Sequence, residues 1–101
     1  MIVILASFEK EDHAKQMAHL LVDQKMAACV SVIPVNAVYV WDDKKVDARE
    51  CEAFIKTTEE QFLKIESLIR ETLGYETPQL IKLSVSGANE SYLKWVEEQV
   101  Q

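Results

Sequence analysis

Residues 2 to 6 read Ile-Val-Ile-Leu-Ala, a continuous apolar, β-branched run that predicts a central strand over 2–7, buried on both faces. From about Lys10 the period changes. Ala14, Met17, Ala18 and Leu21 fall on one helical face, with Glu11 and Asp12 early and Lys25 late, as the helix dipole favours. This predicts a helix over 11–26. Residues 27–41 are strand-like and rich in valine, punctuated by Pro34, and the polar cluster Asp42-Asp43-Lys44-Lys45 reads as a turn. Residues 48–57 alternate, placing Cys51, Ala53 and Ile55 on one face and Glu50, Glu52, Phe54 and Lys56 on the other.

A second helix over 58–73 is announced by a capping-box pattern, Thr58 with Gln61 or Thr57 with Glu60. Its buried stripe is Phe62, Ile65 and Ile69. Gly74 supplies a stop, and Pro78 follows. Alternation through Ile81, Leu83 and Val85 gives a strand over 79–85, and Asn89 is placed to cap a last helix over 89–99 carrying Leu93, Val96 and Val100. The order βαββαβ plus a C-terminal helix predicts an α+β, ferredoxin-like antiparallel sandwich, with the first two helices on one face. Residues 1–101 are expected to form one domain.

The second strand is too long for that domain. Fifteen residues at roughly 3.3 Å each reach about 50 Å, against about 35 Å for a compact chain of this length. Its distal part, Val35 to Trp41, stays apolar. Either Pro34 bends it back over its own core, or a neighbouring subunit covers it; apolar extensions favour the neighbour.

Charge then removes one class of partner. The chain carries 17 acids against 11 bases, a net charge of -6, and its only arginines are Arg49 and Arg70. Nucleic acid is not expected to bind, because its phosphates require cations to replace their counterions. The apolar N-terminal run is too short to span a bilayer and lacks a charged leader, so no membrane partner and a cytoplasmic location are expected. Cys29 and Cys51 should then stay reduced. Their spacing matches neither a zinc motif nor a redox pair, and a turn near Lys44 would set Cys51 opposite about Val38, far from Cys29.

Few residues offer chemistry. Cys29 is the best soft ligand, though a lone cysteine in an apolar strand reads first as a small core residue. His13 and His19, six apart on a helix, lie about 240° from each other and read as solvated. The acids near residue 42 suit a turn.

Five short segments carry a resemblance: Ala27-Ala28-Cys29-Val30 with Ile33-Pro34, Tyr39-x-Trp41, Glu50 with Lys56-Thr57, Tyr75-Glu76-x-Pro78, and Tyr92-Leu93-x-Trp95. In this order and spacing the chain resembles the CutA family from the first strand to the last helix. The resemblance implies a homotrimer like that of PII signalling proteins, in the cytoplasm, and a link to tolerance of divalent metals, copper above all. It implies no reaction, so the protein is expected not to be an enzyme. It also implies that Glu50, Lys56, Tyr75 and Glu76 stand near a cleft between subunits, joined by Trp41 and Trp95, with Cys29 as a further binding residue. Such a set would hold a small molecule or anion, poise a proton donor, or fix subunit register by an ion pair.

Where relatives place cysteine or histidine ligands, this chain has Ala6 and Leu73-Gly74, with Thr72 beside them. Copper and zinc favour thiolate and imidazole, so no certain cofactor and only weak divalent metal binding are expected. A copper chaperone would need a Met-x-Cys-x-x-Cys loop where Ala6-Ser7-Phe8 stands, an acylphosphatase would need an arginine there, and an RNA-recognition domain would need paired aromatics on a basic face. A PII-like small-molecule sensor is the alternative reading.

Overall fold

The computed structural model describes residues 1–101. The elements are β1 (Ile2–Phe8), α1 (Glu11–Asp23), β2 (Cys29–Trp41), β3 (Lys44–Thr57), α2 (Phe62–Leu73) after a 3-10 turn (Glu59–Gln61), β4 (Leu80–Ser84) and α3 (Glu90–Gln99). The strands form one antiparallel sheet in the order β2-β3-β1-β4. This is the ferredoxin-like arrangement expected from the sequence.

Strand alternation decides what is buried. Ile2, Ile4, Ala6 and Phe8 of β1, with Cys51, Ala53 and Ile55 of β3, enter a core closed by Ala14, Met17 and Leu21 of α1 and Ile65 and Ile69 of α2. Ile4 lies directly opposite Ile55, and neither is exposed at all. The opposite face of β1 is only half-buried at Val3, Leu5 and Ser7. The expectation of burial on both faces is therefore corrected: within one chain the helices cover a single side of the sheet.

α1 stops at Asp23 rather than 26. Lys25 adopts φ 58°, and the amides of Lys25 and Met26 turn back to the carbonyls of Val22 and Leu21. That is a Schellman closure with lysine in the position glycine usually fills. The predicted capping box is absent: Thr57 is buried and donates its hydroxyl to the Met26 carbonyl, while the Gln61 amide donates to the Gln101 carbonyl at 2.7 Å. A 3-10 turn opens α2 instead.

The hairpin departs most from expectation. Its turn is only Asp42 and Asp43, with φ of 54° and 60°, so Lys44 and Lys45 already pair with Trp41 and Val40. β3 thus begins at Lys44 instead of 48. The register follows from the tighter turn, and Cys51 stands opposite Pro34 rather than Val38. Pro34 does not fold the strand back, because β2 is an edge and its missing N–H faces outward. The arm continues straight, stretching the molecule to 45 × 26 × 20 Å. Val38, Val40 and Trp41 remain 63%, 71% and 50% exposed.

Candidate functional site

The face turned away from the helices carries Val3, Leu5 and Ser7 from β1, Ile33 and Val35 from β2, Glu50, Glu52, Phe54 and Lys56 from β3, and Ile81 and Leu83 from β4. Ile33, Ile81 and Leu83 are each more than 40% exposed. At one end of this face the loop after α2 rises beside the base of the hairpin arm. The left-handed residue Gly74, φ 67°, closes α2 and turns the chain into that loop.

Between loop and arm lies a cleft of about 660 Å³, walled by the rings of Tyr39, Trp41 and Tyr75 and edged by Glu9, Glu50, Glu52 and Glu76. No lysine, arginine or histidine lines it. Its carboxylates lean on neutral donors: the Tyr39 hydroxyl donates to Glu50 at 2.9 Å, and the Gln79 amide reaches Glu52 at 3.3 Å. Partial burial pushes the Glu52 carboxyl above its usual range; the Gln79 contact opposes this and repulsion from Glu50 adds to it. Bonding to Glu50 likewise raises the Tyr39 phenol. Within one chain the cleft is therefore acidic and aromatic, a lining that favours a cation.

Tyr75 is anchored from behind. Its hydroxyl accepts the Glu9 N–H at 3.1 Å and lies 2.8 Å from His13 Nδ1. His13 is half-buried by this contact and is not the solvated residue expected. His19 is exposed.

The seven residues singled out from the sequence divide among three places. Trp41, Glu50, Tyr75 and Glu76 share the cleft. Cys29 and Lys56 pair across β2 and β3 at the other end of the open face, with Nζ 4.0 Å from Sγ. Cys29 is half-exposed, where a core position was expected, and Cys51 takes the core instead. Trp95 sits on α3 against Tyr92, ring centroids 5.6 Å apart, and lines no part of the cleft. Sequence reasoning passed over Tyr39, Glu52 and Gln79 as site residues; the i, i+2 spacing of Glu50 and Glu52 was the available signal.

A copper or zinc ion does not fit these residues within one chain. Ala6, Thr72 and Leu73 bring no soft donor, Cys29 faces the Lys56 ammonium at 4.0 Å, and no three His, Cys, Asp or Glu side chains stand close enough together to hold an ion. A separate depression of about 430 Å³ between the end of α1 and α2 contains no histidine, cysteine or aromatic residue.

No helix is long and apolar enough to cross a membrane. The CutA1 divalent ion tolerance protein family matches residues 2–99. The divalent-cation tolerance protein CutA of Thermus thermophilus is 30% identical over 97 residues, covering 95% of this chain and 94% of that one. The CutA structure from Pyrococcus horikoshii superimposes with a TM-score of 0.94 at 29% identity, covering 100% of both chains. The periplasmic divalent cation tolerance protein CutA from Archaeoglobus fulgidus gives 0.95 at 25% identity, again over 100% of both. With a family match along nearly its whole length and the same fold in each of these structures, the chain belongs to the CutA1 divalent ion tolerance family.

Proposed function

We propose that this protein is a non-enzymatic homotrimer that binds small molecules or partners in clefts between its subunits, in support of divalent metal tolerance. The carrying observation is the open sheet face. Val3, Leu5, Ile33, Phe54, Ile81 and Leu83 form an apolar surface that one chain leaves to solvent, and the acidic cleft opens on that same surface. Copies packed against one another would bury the apolar residues and give each cleft a second wall. The exposed Val38, Val40 and Trp41 of the arm would gain cover by the same packing.

Soft metals would be bound weakly at most, and tolerance would then arise through another ligand or a partner protein. The cytoplasm is the proposed location. A PII-like sensor of small molecules is the second reading, favoured by the position of the cleft beside a projecting hairpin; the two-residue turn at Asp42-Asp43 leaves that hairpin without a long regulatory loop.

Sedimentation equilibrium tests the assembly: the wild type should weigh three times the 11.6 kDa chain. Trp41→Asp should dissociate or aggregate, since an unpaired charge in a desolvated contact costs several kcal/mol. A stable wild-type monomer would remove both trimer and intersubunit cleft. Native mass spectrometry of protein purified without added metal would reveal any retained small molecule.

A further inference from the structure

Tyr75 stands on the boundary between the cleft and α1. Its side chain lines the cavity, while its hydroxyl accepts the Glu9 N–H at 3.1 Å and meets Nδ1 of His13 at 2.8 Å. A phenol oxygen has one proton to give and two lone pairs. Glu9 takes one lone pair. The proton has a single acceptor within hydrogen-bond distance, Nδ1 of His13, and the imidazole makes no other hydrogen bond. Other charges nearby do not join the pair. On α1, Glu11 and Lys15 bond to each other at 2.9 Å, with Asp12 beside His13 and Lys10 before the helix. On α2, Arg70 is held by Glu66, and Glu71 is exposed. β3 brings Glu50, Glu52 and the buried Cys51 thiol, and the loop brings Glu76. None of these bonds to the phenol or the ring.

We propose that charging His13 reverses its hydrogen bond to Tyr75 and turns the phenol into a donor to the cleft. In the neutral ring the proton sits on Nε2, and Nδ1 accepts from the phenol. An imidazolium carries a proton on each nitrogen, so Nδ1 has to donate. The phenol oxygen then accepts twice, from Glu9 and from His13, and its own proton swings away from α1 about the C–O bond. One proton is taken from water, one N–H bond forms at Nδ1, and no covalent bond breaks. Histidine ordinarily changes charge between about pH 5 and 8, the range in which a cell's compartments differ. The Tyr39 hydroxyl and the Gln79 amide are already spent on Glu50 and Glu52. The freed phenol, with an imidazolium behind it, moves an otherwise acidic cleft toward a ligand's carboxylate or carbonyl oxygen. This deepens the reading of the cleft as a binding site, yet the switch belongs to the chain itself and is tested without a ligand.

Nitrogen NMR of the imidazole across about pH 5 to 8 reads the tautomer. The effect of D2O on the Tyr75 ring carbon that bears the hydroxyl reads exchange of the phenol proton with water. Neutral His13 should carry its proton on Nε2. The phenol proton should exchange at least about tenfold faster once His13 is charged, the ratio expected for losing one hydrogen bond. His13→Asn sets an amide oxygen where Nδ1 stands and cannot be charged, so this step should vanish. Tyr75→Phe should leave His13 titrating but remove the accompanying shift of the Glu9 amide. A neutral ring protonated at Nδ1 would overturn the proposal, because the bond would then already run toward the phenol. Equal phenol exchange in both charge states, or a step that survives in His13→Asn, would overturn it too. A cleft that retains and binds nothing would remove the binding reading and leave the switch standing.

Discussion

The hydroxyl of Tyr75 and Nδ1 of His13 lie 2.8 Å apart, joining the loop after α2 to the first turn of α1 across 62 residues of sequence. The same hydroxyl accepts the Glu9 N–H, so Tyr75 ties the start of α1 to the loop through two contacts. Tyr75→Phe should remove both bonds at little cost in packing. A loss of about 1–2 kcal/mol in urea unfolding is expected, with faster amide exchange confined to residues 75–79. An unchanged exchange pattern would show that the loop is held by other contacts.

The same phenol gives a pH signature. Burial pushes Tyr75 above its ordinary 10.0, and the charges of Glu9 and Glu50 add to this while the Glu9 amide opposes it. The folded state thus holds the proton more tightly than the unfolded chain. The resulting stability is complete below about pH 10 and is lost as pH rises through the folded value. Stability curves measured from pH 8 to 11 should fall less steeply in Tyr75→Phe than in wild type; parallel curves would contradict the assignment.

At the hairpin tip Asp43 sits at φ 60°. Left-handed backbone costs an L-residue about 1–2 kcal/mol, and glycine avoids it. Asp43→Gly should therefore stabilise the fold by about 1 kcal/mol in thermal or urea unfolding. A destabilised variant would mean that the aspartate side chain contributes more than its backbone costs.

Ile55 is fully buried opposite Ile4 in the centre of the sheet. Ile55→Ala should cost about 2–5 kcal/mol, and Ile55→Val about 1 kcal/mol, both readable as shifts in the urea midpoint. Equal costs for the two would signal that the core collapses around the gap.

Calorimetry with reduced protein should find no tight stoichiometric copper or zinc site. Binding stronger than about -8 kcal/mol that disappears in Cys29→Ser would restore a thiolate-centred metal site.

Legibility in the sequence followed periodicity. β1, α2 and α3 came within a residue or a few of their observed limits because alternation and helical stripes are local. β3 did not, since an Asp-Asp turn lacks the Asn-Gly pattern that usually marks a two-residue loop. That error moved Cys51 from Pro34 to Val38 in the expected register. Trp41, Glu50, Tyr75 and Glu76 were found together because motif resemblance stands in for tertiary proximity. Lys56 was grouped with them although its own strand carries it to the far end of the face. Nothing in the local pattern around His13 foretold Tyr75, because that contact is made only once α2 and its loop have docked.

Thirteen consecutive residues of β2 pair without interruption, Cys29 with Lys56 through to Trp41 with Lys44. Adding or removing one residue in either strand would turn every side chain beyond it to the other side of the sheet. Tyr39 and Trp41 would exchange places with Val38 and Val40. The arm can therefore change length without turning its faces over only by two residues in each strand, in increments of about 7 Å, unless a bulge absorbs the odd residue.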